Sequence, residues 1–458
     1  MVTLSIVSLG CARNEVDSEE LAAQFATAGF DLIDQPDQAE VVVVNTCGFI
    51  EAAKAESIDE ILSAAGQRPD GSKPVVIAAG CLADRYGDQL ASSLPEADAV
   101  IGFDGYPDIA ATVRQVLAGV HPPARPPVDR RRQLPLFPVV RPGPAPVLPA
   151  WIPSQRHRLT GGPMAPLKIA SGCDRTCAFC AIPVFRGAFR SRPAADIVAE
   201  ATWLATQGVK EVFLVSENTT SYGKDLSRGT LEALLSDLAT VDGIERIRLS
   251  YLQPAELRQP LIDAIATTPK VAGYFDLPFQ HASAPVLKRM RRYGDAQSFL
   301  DLLGRIRLAI PDAGIRTNVI VGFPGETQDD VDILVQFLGE AGLDAVGVFP
   351  YSDEEGTRAA ALDGHLDEEE MRARARDVSE FADTVTAMRA HDRLGDEVSV
   401  LIESSDHLVS AGRAGQQGPE DGMTYVRGES LPADRLQPGE IVTGKVVDSH
   451  GVDWYIDL

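Results

Sequence analysis

The sequence predicts a multidomain α/β protein made of a parallel α/β domain, a (βα) barrel and a small all-β barrel of the OB type. Apolar runs of strand length alternate with helical patterns over the first hundred residues, and the alternation resumes between residues 167 and 349. From residue 397 onward, short β segments are separated by glycine turns. Alternating strands and helices are typical of βαβ units, and short strands with turns are typical of a small barrel.

The first domain is predicted from largely apolar strands, which suit a parallel sheet that helices cover on both faces. The strands are residues 4–9, 41–46, 75–79 and 97–101, and the helical patterns are residues 16–28 and 52–65.

A cysteine follows each of the first three strands, at Cys11, Cys47 and Cys81. Because parallel strands end at one edge of their sheet, the three thiols should converge there. Free cysteine is often only a small buried hydrophobe, so three core cysteines are the alternative. Three equivalent positions favour a three-thiolate site for a 4Fe–4S cluster that leaves one iron open.

A second cysteine array, Cys173, Cys177 and Cys180, has C-x3-C-x2-C spacing and follows the apolar run 167–170. Three thiolates in one loop hold three irons of a 4Fe–4S cluster, and the fourth iron stays open for a ligand. Zinc loops usually combine two C-x2-C pairs, so this spacing argues against zinc. Phe179 would place an aromatic face beside the cluster.

The central region has six predicted strands, and a (βα) barrel carries its active site at the carboxyl ends of such strands. The strands are residues 167–171, 211–216, 246–250, 274–277, 315–321 and 345–349, with helices that include residues 194–206, 231–238 and 327–338.

Several residues follow these strands, where a ligand would bind. Glu217 follows the second strand, His281 follows the fourth, and Gly322 and Gly325 follow the fifth. Glycines permit the backbone to approach a ligand closely. Each feature also has a structural interpretation: the glycines as turn residues, Glu217 as a solvated side chain and His281 as a residue that fixes a loop.

The remaining segments are a linker, a helical region and the last barrel. Residues 121–153 contain 11 of the 31 prolines, which predicts an extended linker. Residues 353–396 are helical in composition, with a helix that begins near Asp367. Four β segments after residue 397 predict a five-stranded barrel with 4 basic and 11 acidic residues, a charge that disfavours phosphate binding. The four segments are residues 398–402, 423–426, 441–447 and 454–456.

The composition predicts a cytoplasmic protein without a signal peptide or a membrane span. Its six cysteines are explained by metal sites rather than disulfides. The net charge of −24 disfavours broad attraction to nucleic acid or anionic membranes and favours a basic partner.

The central cysteine array resembles that of the radical S-adenosylmethionine enzymes. The resemblance implies that the open iron binds the amino and carboxylate groups of S-adenosylmethionine. An electron from the cluster then cleaves the cofactor to methionine and a 5′-deoxyadenosyl radical. On this basis Phe179, Glu217, Gly322 and Gly325 are the predicted cofactor-binding residues, and the six cysteines are the metal ligands. No catalytic residue is assigned beyond the clusters.

The whole chain resembles the methylthiotransferases, a radical S-adenosylmethionine family that ends in a TRAM barrel. Residues 9–18, 45–59 and 277–283 carry the resemblance, together with the central array. The branch that modifies tRNA typically has Gln-Met-Asn after its first cysteine, where this chain has Ala12-Arg13-Asn14. The motifs are therefore similar to those of the branch that modifies a ribosomal protein, although Arg13 stands where lysine is expected and residues 412–422 are shortened.

The resemblance implies methylthiolation of the β-carbon of an aspartate in small-subunit ribosomal protein S12, with two 4Fe–4S clusters and S-adenosylmethionine as cofactors. An electron donor and a sulfur source are the other implied partners. Methylthiolation of an adenosine in tRNA is the alternative, and a non-catalytic iron–sulfur carrier is a third reading. The predicted domains are a cluster domain (1–120), a proline-rich linker (121–160), a radical barrel with a helical extension (161–396) and a TRAM domain (397–458).

Overall fold

The computed structural model describes residues 1–66, 71, 73–127, 129–130, 156–227, 229–406, 409–427 and 436–458. These residues form two compact units, and each is described by itself. Most of the predicted linker, 121–160, lies outside the described residues, so the predicted domain boundaries stay predictions. Unit 1 is Met1–Gly161, Ser171–Arg175 and Cys180–Arg192; unit 2 is Gly162–Ala170, Thr176–Phe179 and Pro193–Leu458.

Unit 1 contains a five-stranded parallel sheet in the order β2-β1-β3-β4-β5, with helices on both faces. Every residue of β3 is buried, as expected for the middle strand of a covered sheet. The elements up to residue 117 are β1 (Thr3–Ser8), α1 (Ala12–Thr27), β2 (Asp31–Leu32), β3 (Val41–Thr46), α2 (Glu51–Ala64), β4 (Val75–Gly80), α3 (Cys81–Ser93), β5 (Ala99–Ile101) and α4 (Ile109–Leu117).

The predicted start of the first helix (16–28) is wrong, because α1 begins four residues earlier, at Ala12, directly after Cys11. Its first turns carry polar residues, which do not look like the start of a buried helix. Asn14, Asp17 and Ser18 are nevertheless buried, at 4% exposure or less. Hydrogen bonds from Asn14 and Ser18 to the adjoining strand ends offset the cost of burying these polar groups.

The rest of the chain supplies the barrel strands of unit 2, three short elements near the cysteine loop and the last barrel. These elements are β6 (Met164–Lys168), β7 (Ala170–Ser171), α5 (Ile182–Phe185), β8 (Arg190–Ser191), α6 (Ala194–Thr206), β9 (Glu211–Val215), α7 (Leu231–Ala239), β10 (Arg246–Leu249), α8 (Gln259–Thr267), β11 (Tyr274–Asp276), α9 (Ala284–Arg289), α10 (Ala296–Ala309), β12 (Gly314–Val321), α11 (Gln328–Ala341), β13 (Ala345–Pro350), α12 (Glu368–Asp392), β14 (Glu397–Ser405), β15 (Ser410–Ala414), β16 (Thr424–Val426), β17 (Ile441–His450) and β18 (Asp453–Asp457).

Six parallel strands of unit 2 form the predicted barrel as two three-stranded sheets, β10-β9-β6 and β11-β12-β13. Hydrogen bonds between the backbones of Ile247 and Ala272, and of Leu252 and Asp276, connect β10 with β11. The first strand was predicted at 167–171, but β6 pairs with β9 from Met164 to Lys168. Pro166 is tolerated there because β6 lies at the edge of its sheet.

The last barrel is closed, with the strand order β14-β15-β16-β18-β17 and an antiparallel β14–β17 pair that completes the circle. Val400, Trp454 and Ile456 lie in its core. β15 had no predicted run of its own, because its sequence Ser-Ala-Gly-Arg-Ala has low β propensity. The tertiary fold places β15 between β14 and β16, which supply its hydrogen bonds.

Buried charges join the last barrel to the amino-terminal ends of strands β9 and β10 of the first barrel of unit 2. Arg246 donates to the carbonyls of Ser399 (2.8 Å) and Arg413 (3.0 Å), while Arg248 donates to that of Gly415 (2.8 Å). The Arg248 Nε also donates a hydrogen bond to the Glu211 Oε1 at 2.7 Å. The two barrels of unit 2 are therefore fixed through polar groups that are removed from water.

Within the described part of the chain, no helix combines the length and the apolar character needed to cross a bilayer.

Candidate active site

The three strand-end cysteines of unit 1 lie at the same edge of the parallel sheet. Cys11 caps α1 after β1, Cys47 follows β3, and Cys81 is the first residue of α3 after β4. A Cβ on Gly10 would lie 2.9 Å from the Cys47 Cβ, and a Cβ on Gly48 would lie 2.8 Å from the Leu82 Cα. The backbones that carry the cysteines are thus packed against one another, and Gly10 is needed for that approach and for its φ of +88°.

A buried polar network holds two of these turns together. The Asn14 Nδ2 donates to the carbonyls of Leu9 (2.7 Å) and Asn45 (3.1 Å). The Asn45 Nδ2 returns hydrogen bonds to the Asn14 carbonyl (2.9 Å) and to the Ser18 Oγ (2.7 Å). The Ser57 hydroxyl accepts from the Cys47 N–H at 2.9 Å. These bonds set the backbone that carries Cys11 and Cys47, because each buried polar group requires its partner.

Two guanidinium groups lie beside these thiols. The Arg13 Nη2 is 3.6 Å from the Cys11 Sγ, and the Arg186 Nη2 is 3.3 Å from the Cys81 Sγ. Burial acts to raise the pKa of the Cys11 thiol, but the charges of Arg13 and Arg186 bring it below its ordinary value. Burial raises the pKa of Cys47 and raises that of Cys81 to about 11.

The chemistry of the donor set fits an iron–sulfur cluster. The three side chains that converge are thiols, which are the usual cluster ligands. Structural zinc sites are almost always completed by four protein ligands, and the strand-end cysteines supply three.

The central cysteine array is divided between the two units. Cys173 and Cys180 belong to unit 1, where Cys173 donates its N–H to the Gly187 carbonyl at 3.0 Å. Cys173, Cys81 and Phe185 are members of one small buried apolar cluster in that unit. Cys81 and Cys173, which are predicted ligands of two different iron–sulfur clusters, thus lie in the same apolar environment with little water.

Cys177 and Phe179 belong to unit 2. Ala178, between them, donates to the Met290 carbonyl and accepts from the Ala359 N–H, both at 2.9 Å. The Arg292 Nη1 lies 3.9 Å from the Cys177 Sγ and 3.0 Å from the Gln253 Oε1. Phe179 is partly buried against the barrel core.

The other predicted cofactor residues lie at the carboxyl ends of the barrel strands, as expected. Glu217 follows β9 and is partly buried beside the Ser216–Thr219 hydroxyl pair, whose oxygens are 3.0 Å apart. Gly322 follows β12 with a φ of +80°. Binding of S-adenosylmethionine by these residues stays a prediction.

Glu326 organises the turn that contains Gly322 and Gly325. Its carboxylate is buried and accepts the Gly322 N–H at 2.9 Å and an Arg374 N–H at 3.1 Å. The His281 Nε2 is 3.3 Å from the other carboxylate oxygen, and the His281 Nδ1 accepts from the Ser283 N–H at 2.9 Å. His281 therefore connects the loop after β11 to the turn of Gly322 and Gly325 through Glu326. This contact agrees with the interpretation of His281 as a residue that fixes a loop.

Comparison with known proteins places this geometry in a family. A model of the radical SAM superfamily matches residues 167–338, and a model described as uncharacterized protein family UPF0004 matches residues 3–102. The ribosomal protein uS12 methylthiotransferase RimO of Nocardioides sp. is 55% identical over 467 residues, which cover 99% of this chain and 96% of that protein. RimO of Cutibacterium acnes is 54% identical, with coverage of 99% and 97%. The chain belongs to the RimO family.

This chain contains a radical SAM domain, and that family implies S-adenosylmethionine and a 4Fe–4S cluster as its cofactors. The solved structures agree at the level of fold. TsrM from Kitasatospora setae, a radical S-adenosylmethionine methyltransferase, aligns with a TM-score of 0.52 at 15% identity over 76% of this chain and 74% of that one. The radical enzyme OxsB aligns with a TM-score of 0.51 at 14% identity over 84% and 56%.

Two residues with contacts in the candidate site, Arg186 and Glu326, were not predicted from the sequence. Nothing in their spacing shows what they contact. Arg186 reaches a thiol 105 positions earlier in the chain. The available sequence signal was an arginine or a glutamate next to a glycine, and it does not specify a partner.

Proposed function

We propose that the protein transfers a methylthio group to the β-carbon of an aspartate in ribosomal protein uS12 by radical S-adenosylmethionine chemistry. The observation that carries the proposal is the convergence of Cys11, Cys47 and Cys81 in a chain that also has the radical cysteine array. One three-thiol set suits radical generation, and the other suits the binding of sulfur that is to be transferred. Membership of the RimO family supports the substrate.

The six cysteines are proposed to hold two 4Fe–4S clusters, with Cys173, Cys177 and Cys180 as ligands of one. Cys11, Cys47 and Cys81 are proposed ligands of the second. The radical cluster, when present, supplies the electron that cleaves S-adenosylmethionine. The protein residues bind and orient the cofactors and keep water out of the site. The buried apolar group that contains Cys81, Cys173 and Phe185 contributes to the exclusion of water.

S-adenosylmethionine is proposed to bind along the carboxyl ends of the barrel strands. Phe179 would contact it from the cysteine loop, and Glu217 would accept its amino group. Gly322 and Gly325 would bring backbone close to it. The turn of these glycines is already organised by Glu326, which supports a preformed binding edge.

Replacing Glu326 with glutamine is expected to weaken S-adenosylmethionine binding about tenfold, because the buried carboxylate loses its charge-assisted bonds to Arg374 and the Gly322 N–H. Equilibrium binding to the reconstituted protein measures this change, and the iron content should be unaltered. Glu370→Gln is the matched control, since Glu370 contacts the same Arg374 from the half-exposed side. Equal affinities in the two variants would contradict the assignment of this turn.

The remaining partners are proposed from the chemistry. Reductive cleavage needs an electron donor, and each methylthio group that leaves needs a sulfur source. The substrate is a ribosomal protein, so we place the enzyme in the cytoplasm. We also retain the boundaries 1–120, 121–160, 161–396 and 397–458 for the cluster domain, the linker, the radical barrel with its extension and the TRAM domain.

The deciding experiment incubates anaerobically reconstituted protein with a reductant, S-adenosylmethionine and either uS12 or undermodified tRNA. Mass spectrometry is expected to show a methylthio addition on one aspartate of uS12 and none on tRNA. The Cys11→Ala variant should lose this addition while it still releases 5′-deoxyadenosine. Addition to tRNA alone would overturn the substrate, and addition to neither would overturn the proposed reaction.

A further inference from the structure

Arg186 is a residue of unit 1 that has no role in the proposed reaction as described above. It follows α5, six residues after Cys180, and its side chain is only 6% exposed. The Nη2 lies 3.3 Å from the Cys81 Sγ, and the Nη1 lies 2.8 Å from the Asp17 carboxylate. The guanidinium carbon is 4.4 Å from the centre of the Phe103 ring.

These contacts fix the direction of the guanidinium. The Arg186 Nη1 forms an ion pair with Asp17 on α1, and the Phe103 ring packs against the guanidinium group. The Nη2 is therefore directed to the Cys81 Sγ. The planar fork of arginine suits two partners at a fixed angle, which a lysine ammonium does not reproduce. α1 is also the helix that Cys11 caps. Arg186 thus joins the helix of one thiol to another thiol.

We propose that Arg186 is a positioning residue for the strand-end cysteine site, where it orients Cys81 and raises the reduction potential of the cluster held there. The proposal rests on the proposed function, in which Cys11, Cys47 and Cys81 bind the second cluster. Hydrogen bonds to ligand sulfur and nearby positive charge stabilise the more negative, reduced state of a cluster. Burial keeps the charge effective, because water does not screen it.

The position of Arg186 in the chain gives the proposal a functional meaning. The residue belongs to the segment that continues from the radical cysteine array, yet its charge acts on the other cysteine site. A residue outside the strand-end cysteine turns therefore sets a property of the site that they form.

The test measures the potential of the second cluster alone. The background is the full-length Cys177→Ala chain, which removes a ligand of the radical cluster and leaves Arg186 and the strand-end cysteines intact. Anaerobic reconstitution is followed by a redox titration monitored by electron paramagnetic resonance. Arg186→Gln removes the charge, Arg186→Lys keeps it without the fork, and Arg114→Gln removes an exposed arginine of α4 in the same unit as a control.

Arg186→Gln is expected to shift the ratio of oxidised to reduced cluster at least tenfold toward the oxidised form, which corresponds to about 59 mV for one electron. Arg186→Lys should shift it less, and Arg114→Gln should leave it unchanged. An intact cluster with an unshifted potential in Arg186→Gln would overturn the proposal. If Arg186→Gln is folded but binds no iron, Arg186→Lys decides: a lowered potential supports the proposal, and an unchanged one overturns it.

The same titration separates this inference from the proposed function. If the Cys177→Ala background itself binds no iron, the second cluster is absent and the proposed function fails first. If the background has a normal cluster and only the Arg186 prediction fails, the two-cluster assignment stands.

Discussion

Cys177→Ala is expected to abolish both the cleavage of S-adenosylmethionine and methylthio transfer, and to leave the strand-end site able to bind iron. The central loop has only three thiols, so the loss of one leaves two ligands for a cluster that needs three. The release of 5′-deoxyadenosine should fall to background. The iron content should fall to about half, because one of two equal clusters is lost.

Thr176→Ala is the matched control, since Thr176 is an exposed neighbour in the same loop and carries no ligand atom in the proposal. It should retain full iron content and activity. Cleavage of S-adenosylmethionine by Cys177→Ala would contradict the role of the array. Full iron content in that variant would contradict the assignment of two separate clusters.

The second large effect concerns stability rather than catalysis. Glu211→Met is expected to destabilise unit 2 by about 3–5 kcal/mol, because it leaves buried guanidinium groups without their carboxylate. Glu211 is 3% exposed and contacts Arg248 at 2.7 Å and Arg246 at 3.3 Å. Burial alone would raise the pKa of Glu211, but these two charges lower it.

Hydrogen exchange measures this loss where it should appear. The amides of β14 and β15 should exchange faster, because Arg246 and Arg248 hold carbonyls in this part of the last barrel. Glu403→Gln is the control, since Glu403 pairs with Arg413 in a site that is partly open to water. A partly exposed pair should contribute at most about 1 kcal/mol. Equal changes in the two variants would refute the importance of burial.

The sequence by itself determined those features that depend on neighbours along the chain. The spacing of Cys173, Cys177 and Cys180 predicts a cluster loop because the three thiols are close together in the chain. The apolar runs predicted the strands, and the rule that parallel strands end at one edge predicted the convergence of Cys11 and Cys47. The last barrel was predictable from its short strands and turns, whereas its description as a TRAM barrel came from the family resemblance.

Only the tertiary structure decided which polar residues are buried and what they contact. Arg246 and Arg248 lie in a strand and look like exposed charges, yet Arg248 is fully buried. The sequence predicted that the backbone at Gly322 could approach a ligand closely. The structure shows that the Gly322 N–H already donates to the Glu326 carboxylate. Arg186 meets Cys81 only because the fold returns residues 180–192 to the first sheet.

The physical reason lies in the range of the interactions. Periodicity and turn chemistry act over a few residues, so a sequence displays them directly. The stability of a buried charge depends on a partner that is distant in sequence, since water no longer solvates it. Arg248 and the carbonyl of Gly415 are 167 positions apart, and no local pattern relates them. The fold and the convergence of the strand-end cysteines were therefore predictable, whereas the electrostatic setting of the site came from the tertiary structure.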